Sequence, residues 1–286
     1  MAGFREQFHT SNDGLQLYYR DYGNAGDPRL PVICLPGLTR NSADFEALAL
    51  SLSADGRRVL SPDFRGRGKS AYDPQFMNYV PPTYAGDVIG MLASLGVGRA
   101  IFVGTSLGGI VTQLVALAAP ALVAGAVLND IGPELDPAGL ARIASYAGLQ
   151  ADPANWDAAI AQLRLVNGGQ FPDLPDETWA RFAHAVFVEK PEGGLRPNYD
   201  PGIGDAMRAG GPPVDMWPIF AGLAQVPTLL LRGALSDLLA PATVEKMKAA
   251  KADLAVVEVA ARGHAPFLDE PESLAAIEDL IARVEA

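Results

Sequence analysis

The chain is predicted to be an α/β protein with a mostly parallel, eight-stranded sheet, helices on both faces and a helical segment inserted after the sixth strand. Three observations in its 286 residues carry that prediction. Short apolar runs alternate with helix-period segments over residues 31–128 and again over 228–284, the pattern of parallel strands joined by crossover helices. No charged residue occurs from Ile101 to Asn129. A strand, a helix and a second strand, all covered on both sides, account for that span. Its glycines, Pro120, Thr105, Ser106, Thr112 and Gln113 argue against a bilayer-crossing helix. Between residues 131 and 220, finally, strand-like runs vanish and Pro, Gly and helical patches take over. The expected organisation is a core of residues 1–130 and 221–286, with 131–220 as a helical cap.

In order, residues 7–10 and 15–22 flank Asp13-Gly14 and read as an edge hairpin. Residues 31–35 form a buried strand that ends in the turn Pro36-Gly37-Leu38. A helix over 43–54 sets Phe45, Leu48 and Leu52 on one face. Val59-Leu60 is a short strand leading to Asp63-Phe64-Arg65-Gly66-Arg67-Gly68-Lys69-Ser70, and a helix covers about 84–95. Ile101, Phe102 and Val103 make the next strand, a helix spans 110–119, and a strand over 124–128 ends at Asn129-Asp130. In the insertion, 138–149, 154–166 and 176–188 look helical, and 190–213 reads as loop. The alternation then resumes with a strand over 228–231, a helix over 241–250, a strand over 254–259 and a helix over 271–284. Leu274, Ile277, Ile281 and Val284 form the buried stripe of that last helix.

The formal charge of −11 argues against nucleic acid or an anionic membrane surface as a partner. Cys34 has no second cysteine to pair with, and its apolar run makes it a buried core thiol. The run Met1-Ala2-Gly3-Phe4-Arg5-Glu6 lacks an apolar h-region, so no signal peptide and a cytoplasmic setting are expected. A monomer or homodimer is expected.

The chemistry centres on Gly104-Thr105-Ser106-Leu107-Gly108, a G-x-S-x-G pattern between a strand and a helix. A backbone turning that sharply brings the residues two before and two after the serine close together, and a Cβ at either would crowd it. The following helix aims its first N–H groups and the positive end of its dipole at the reacting centre. A serine nucleophile needs a base and an orienting acid, which follow it in the chain. His9 lies upstream and reads as a surface residue, while His184 sits in an insertion helix and caps or lines the lid. His264 follows the last strand in Arg262-Gly263-His264, where a base reaches Ser106. Two carboxylates end strands and compete for the acid's role. Asp237 is preferred, because its loop neighbours the strand before His264; Asp130 is the alternative. The N–H groups of Leu107 and Leu38 are the candidate oxyanion donors. Trp156, Trp179, Phe182, Phe187 and Trp217 are the candidate pocket residues of the insertion.

In these residues the chain resembles the α/β-hydrolase-fold enzymes that carry a helical cap. The resemblance rests on the elbow, the Asp63-x-Arg65-Gly66-x-Gly68-x-Ser70 turn, Arg232-Gly233 with Asp237, and Gly263-His264. It implies nucleophile Ser106, acid Asp237 and base His264. Pro36-Gly37 departs from the His-Gly found in many relatives. Arg65 and Arg67 read as solvent or ion-pair residues. The expected activity is hydrolysis of an ester, lactone or related acyl bond of a small apolar substrate through an acyl-serine. The alternatives are a carbon–carbon bond hydrolase acting on vinylogous diketones, acyl transfer to an acceptor other than water, and a non-catalytic ligand-binding protein on the same fold. Too few histidines are present for a convincing metal site, and neither a P-loop nor a dinucleotide fingerprint appears, so no metal and no cofactor are expected.

Overall fold

The computed structural model describes residues 3–149, 151–210 and 214–286. Met1 and Ala2 of the N-terminal run, and residues 211–213 of the loop-like stretch, lie outside the described residues. The edge hairpin is β1 (Phe4–Thr10) and β2 (Gln16–Tyr22). Then come β3 (Val32–Leu35), α1 (Glu46–Ser53), β4 (Val59–Pro62), α2 (Pro81–Ser94), β5 (Ala100–Thr105), α3 (Leu107–Ala118) and β6 (Val123–Asn129). The insertion contributes α4 (Pro137–Tyr146), α5 (Trp156–Asn167), α6 (Asp176–Val186), the strands β7 (Phe187–Glu189) and β8 (Leu195–Pro197), α7 (Gly202–Ala209) and α8 (Trp217–Phe220). The chain closes with β9 (Thr228–Gly233), α9 (Pro241–Ala250), β10 (Ala255–Val259) and α10 (Pro271–Glu285).

Among the described residues, eight strands form one sheet in the order β1-β2-β4-β3-β5-β6-β9-β10. β2 runs antiparallel to both β1 and β4, and the remaining pairs are parallel. The side-chain alternation of a strand divides the core into two layers. Ile33, Leu35, Phe102, Leu128 and Leu230 face one side, with α2 and α3. Val32, Cys34, Ile101, Val103, Val127, Leu229 and Leu231 face the other, with α1 and α10. No helix of the described residues is long and apolar enough to cross a membrane, and the uncharged span is β5, α3 and β6.

The differences from the sequence reading have local causes. α2 starts at Pro81 rather than 84, since Pro fits the first helical positions, where no N–H is needed. The expected helix over 176–188 stops at Val186, because Phe187 to Glu189 pair with β8 across Gly193 and Gly194, both at positive φ. The loop-like stretch contains α7, whose glycines mask it. A Cβ on Gly204 would lie 2.2 Å from the Ala147 carbonyl oxygen, so packing behind α4 requires glycine there. His9, expected at the surface, is buried, and that burial pushes its imidazole below the ordinary range. The Arg65 guanidinium, almost fully buried, gathers Asp13, Asp73 and Asp87 and clamps the 63–70 turn to the edge hairpin and α2.

The part of the insertion from α5 to β8 packs a layer of its own, in which Leu163, Phe171, Trp179, Phe182, Val186, Phe187 and Leu195 are buried together, whereas Ile143, Tyr199, Ile203 and Phe220 join the core beneath it. Asp136 and Asn155 cap α4 and α5 by accepting from the N–H groups of Ala138 and Ala158 at 2.9 Å each. This layer sits over the C-terminal ends of β5 and β6, and a cavity lies between the two.

Candidate active site

Ser106 joins β5 to α3 with φ 52° and ψ −114°, the left-handed backbone of a strained elbow. A non-glycine residue held there costs about 1–3 kcal/mol, so the surroundings must enforce it. The flanking glycines show how. A Cβ on Gly104 would lie 2.4 Å from the Gly108 carbonyl, and one on Gly108 would lie 2.0 Å from the Leu35 carbonyl oxygen. The Ser106 N–H donates to the Asn129 carbonyl at 2.9 Å, tying the elbow to β6.

His264 stands over this serine. Its Nε2 lies 2.8 Å from Ser106 Oγ, and its Nδ1 lies 2.8 Å from Asp130 Oδ2. Asp130 is fully buried at the end of β6, itself at φ 55°. Its carboxylate is satisfied by more than the imidazole: the Gly233 N–H donates to Oδ1 at 2.9 Å, and the Ser236 hydroxyl donates to Oδ2 at 2.5 Å. The His264 backbone N–H donates at 3.0 Å to the side chain of Gln170, from the insertion. Three residues distant in sequence thus form one relay, with its acid sealed from water and its serine open to the cavity.

The structure sets Asp130, and not the expected Asp237, against the histidine. Asp237 makes no hydrogen bond to His264; Asp130 does. Both oxygens of Asp237 are taken by Arg142 of α4, at 2.6 and 2.9 Å. Burial works against ionisation of Asp237, but the Arg142 hydrogen bonds and charge, with His264 adding, outweigh it and hold the carboxyl below its usual range.

Of the two expected oxyanion donors, Leu107 opens α3, so its N–H belongs to the first turn, whose donors have no acceptor within the helix. Leu38 lines the cavity, and a Cβ built on its neighbour Gly37 would lie 3.9 Å from Ser106 Cβ. Arg67, expected to be a solvent or ion-pair residue, is wholly buried. Its Nε donates to the Leu38 carbonyl at 2.9 Å and its Nη1 to the Tyr84 hydroxyl at 2.8 Å.

The cavity has a volume of about 100 Å³. Ser106, His264 and the 37–40 loop line its floor, and Ile143, Tyr146, Leu163, Val166, Phe171, Phe182 and Tyr199 come from the insertion. Of the five aromatic residues expected in the pocket, Phe182 alone lines it. Trp179 and Phe187 are buried within the insertion's own layer. Trp156 packs at a tilt on the exposed His184, with ring centroids 3.8 Å apart. Trp217 donates through its indole N–H to Glu134 and packs on Phe220. The walls come instead from Phe171 and Phe267, whose rings pack 5.0 Å apart. Among the described lining residues the one Lys or Arg is Arg40. Its Nε and Nη2 bond Asp44 at 2.6 and 2.8 Å, and its guanidinium lies 3.8 Å over the Phe182 ring.

Sequence reasoning missed Ser236, Gln170 and Arg142, and placed Arg67 at the surface. Ser236 stands beside the conspicuous Asp237 and offered the one available signal, a hydroxyl next to a candidate acid. Gln170 and Arg142 act across long sequence separations, which no local pattern marks.

Comparison with known proteins agrees with this architecture. The sequence model of the alpha/beta hydrolase family matches residues 32–277. The chain is 32% identical over 271 residues to the 3-hydroxybutyrate-oligomer hydrolase of Cupriavidus necator, covering 91% of this chain and 90% of that protein. It is 32% identical over 232 residues to the 2-(acetamidomethylene)succinate hydrolase of Mesorhizobium japonicum, covering 80% and 79%. A crystal structure of an alpha/beta hydrolase from Novosphingobium aromaticivorans superposes with a TM-score of 0.93 at 44% identity over 99% of both chains.

Proposed function

The chain belongs to the alpha/beta hydrolase family, and on that footing we propose that it is a serine hydrolase cleaving a small ester through an acyl-Ser106 intermediate. The observation that carries the reading is the unbroken Ser106–His264–Asp130 relay facing a cavity. Asp130 accepts from Nδ1–H and so fixes the tautomer that leaves Nε2 free to take a proton. Ser106 Oγ attacks the substrate carbonyl while its proton passes to Nε2, and the oxyanion that forms is met by the N–H groups of Leu107 and Leu38. The imidazolium then returns that proton to the departing alkoxide, which leaves as an alcohol. A water activated by the same Nε2 attacks the acyl-serine carbonyl, and collapse frees the acid and Ser106. Residues 131–220 serve as the cap, and the cavity beneath it favours a compact acyl group with an apolar body.

A second observation refines the substrate. Of the five N–H donors of Arg40, Asp44 takes two, which leaves the end-on fork of its guanidinium unengaged among the described residues. Both relatives named above act on substrates whose names specify carboxylic acids. This supports esters that carry a carboxylate, such as those of short hydroxy acids. The test of the central reading is labelling with a fluorophosphonate and turnover of p-nitrophenyl butyrate, each with Ser106→Ala beside the wild type. Label on Ser106 and loss of turnover in the variant are expected. Undiminished turnover in Ser106→Ala would overturn the reading.

A further inference from the structure

Next to the relay stands an ion pair that takes no part in the reaction steps. Arg142 of α4 binds both oxygens of Asp237. The two side chains are mostly buried, 17% and 24% exposed, so water screens the pair only in part. The loop that carries Asp237 is the loop that supports the relay. Ser236 donates to Asp130, the Ala234 N–H donates to the Val259 carbonyl, and the Leu235 N–H donates to the Arg262 carbonyl, two residues before the base. On its other side the loop is pressed against α4. The Asp136 N–H donates to the Leu238 carbonyl at 2.8 Å, and a Cβ on Gly139 would lie 2.6 Å from the Asp237 carbonyl oxygen.

The charged groups around the imidazole form a circle of matched partners. Asp130 binds it directly. Asp237 and Arg142 lie behind, across the 234–239 loop. Arg40 and Asp44, paired with each other, and the neutral Tyr146 line the cavity side. Arg262, at the start of the histidine loop, is matched by Glu270 and Asp173. Every carboxylate in this circle except Asp130 is paired with a guanidinium, Glu270 and Asp173 sharing that of Arg262.

We propose that Arg142 is a positioning residue for the reaction: it neutralises Asp237 and holds it off the imidazole, so that His264 works against the carboxylate of Asp130 alone. The inference rests on the relay proposed above. Ser236, the neighbour of Asp237, bonds the same Asp130 oxygen that meets the imidazole, and the charge of His264 adds to that of Arg142 in favouring ionised Asp237. Without the cation, an ionised Asp237 would act on the imidazole through its uncompensated charge and stabilise imidazolium in the free enzyme. Protonated His264 is no base, so activity would then require a higher pH.

The test is the pH dependence of kcat/KM for p-nitrophenyl butyrate, with the pH dependence of fluorophosphonate inactivation as a second readout of the same base. Arg142→Met should move the acid limb up by about half a unit to one unit, the effect of one uncompensated charge at intermediate dielectric. At pH 6 that is a loss of roughly three- to tenfold, with the alkaline plateau within about twofold of wild type. Arg142→Lys should keep the wild-type limb. Asp237→Asn added to Arg142→Met should bring the limb back, and Asp237→Asn alone, which leaves Arg142 unpaired, should move it down. A purely structural pair behaves otherwise: Arg142→Met would lower the rate equally at every pH, or the shift would persist in the double variant. Either result overturns the proposal. If Arg142→Met fails to fold, the direction of the Asp237→Asn shift decides alone, an unmoved or raised limb counting against it. Failure of the relay itself looks different, since Ser106→Ala would then keep its activity.

Discussion

Asp130→Asn separates the two candidate acids, and the geometry of the carboxylate says what it does. Oδ1 accepts from the Gly233 backbone N–H, so the asparagine carbonyl takes that position and its NH2 group replaces Oδ2. That NH2 then faces the Ser236 hydroxyl and His264 Nδ1, both of which now donate to the carboxylate. The hydroxyl can rotate and accept instead. The imidazole can accept only by moving its proton to Nε2, where it blocks transfer from Ser106. The side chain keeps its volume in a site with no access to water. The fold is therefore retained while the base is held in the wrong tautomer. In chymotrypsin-like triads the same substitution lowers kcat by on the order of 10⁴. At about 1.4 kcal/mol for each factor of ten, that is roughly 5.5 kcal/mol of barrier, and a loss of that order is expected here. Asp237→Asn removes one partner of a half-screened ion pair and leaves the relay whole, so kcat at the alkaline plateau should stay within about tenfold. Steady-state kinetics on p-nitrophenyl butyrate, with thermal melts to verify folding, read both variants. A fall of a thousandfold or more in Asp237→Asn, with Asp130→Asn near wild type, would refute the assignment of the acid.

Two further outcomes follow from the elbow and the cavity wall. Gly108→Ala puts a methyl carbon 2.0 Å from the Leu35 carbonyl oxygen, a backbone atom of a central strand with no freedom to retreat. A loss of about 3 kcal/mol or more is expected, seen as a Tm lowered by roughly 5–10 °C, and an unchanged melt would contradict the packing. Arg40→Met should reduce kcat/KM on p-nitrophenyl hemisuccinate by about ten- to a hundredfold, the worth of a hydrogen bond to a charged group, and leave p-nitrophenyl butyrate within about threefold. Equal losses on both esters would remove Arg40 from substrate selection.

The core is legible in the sequence because its signals are local. The unbroken apolar runs of β3 and β5, the glycines of the elbow and the prolines opening α2 and α10 each act within a few residues. Ser106 and His264 are legible by elimination, with one glycine-flanked serine after a buried strand and one histidine after the last strand. The cavity walls are not. Large aromatic residues in the insertion bury one another first, as Trp179 and Phe187 do, and which ring is left to face the core depends on how α5 and α6 lean together. Arg67 reads as a solvent or ion-pair residue because a charged side chain in a glycine-rich turn normally reaches water. Here its guanidinium is drawn inward by the carbonyls of Leu38 and Arg65 and the Tyr84 hydroxyl.

The misplaced acid has a geometric cause that sequence adjacency conceals. β5, β6, β9 and β10 lie side by side in that order, so Ser106 and the root of the histidine loop sit at opposite ends of a four-strand row. At about 4.8 Å per strand the loop must span roughly 14 Å to bring Nε2 to Ser106 Oγ. Neighbouring strands suggest that the loop after β9 meets the loop after β10, and it does: Gly233 and Gly263 are so close that a Cβ on Gly233 would lie 2.3 Å from the Gly263 carbonyl oxygen. That contact, however, is with the stem of the loop and not with its working end. By the time Nε2 reaches the end of β5, the other ring nitrogen is only one imidazole's width behind, over the end of β6, and the carboxylate waiting there is Asp130. Asp237 is left beside the stem, a charge without an imidazole, and the fold supplies Arg142 from above to balance it. The position of the acid thus follows from where the ring must stop, and the partner of the unused carboxylate follows from where the acid is not.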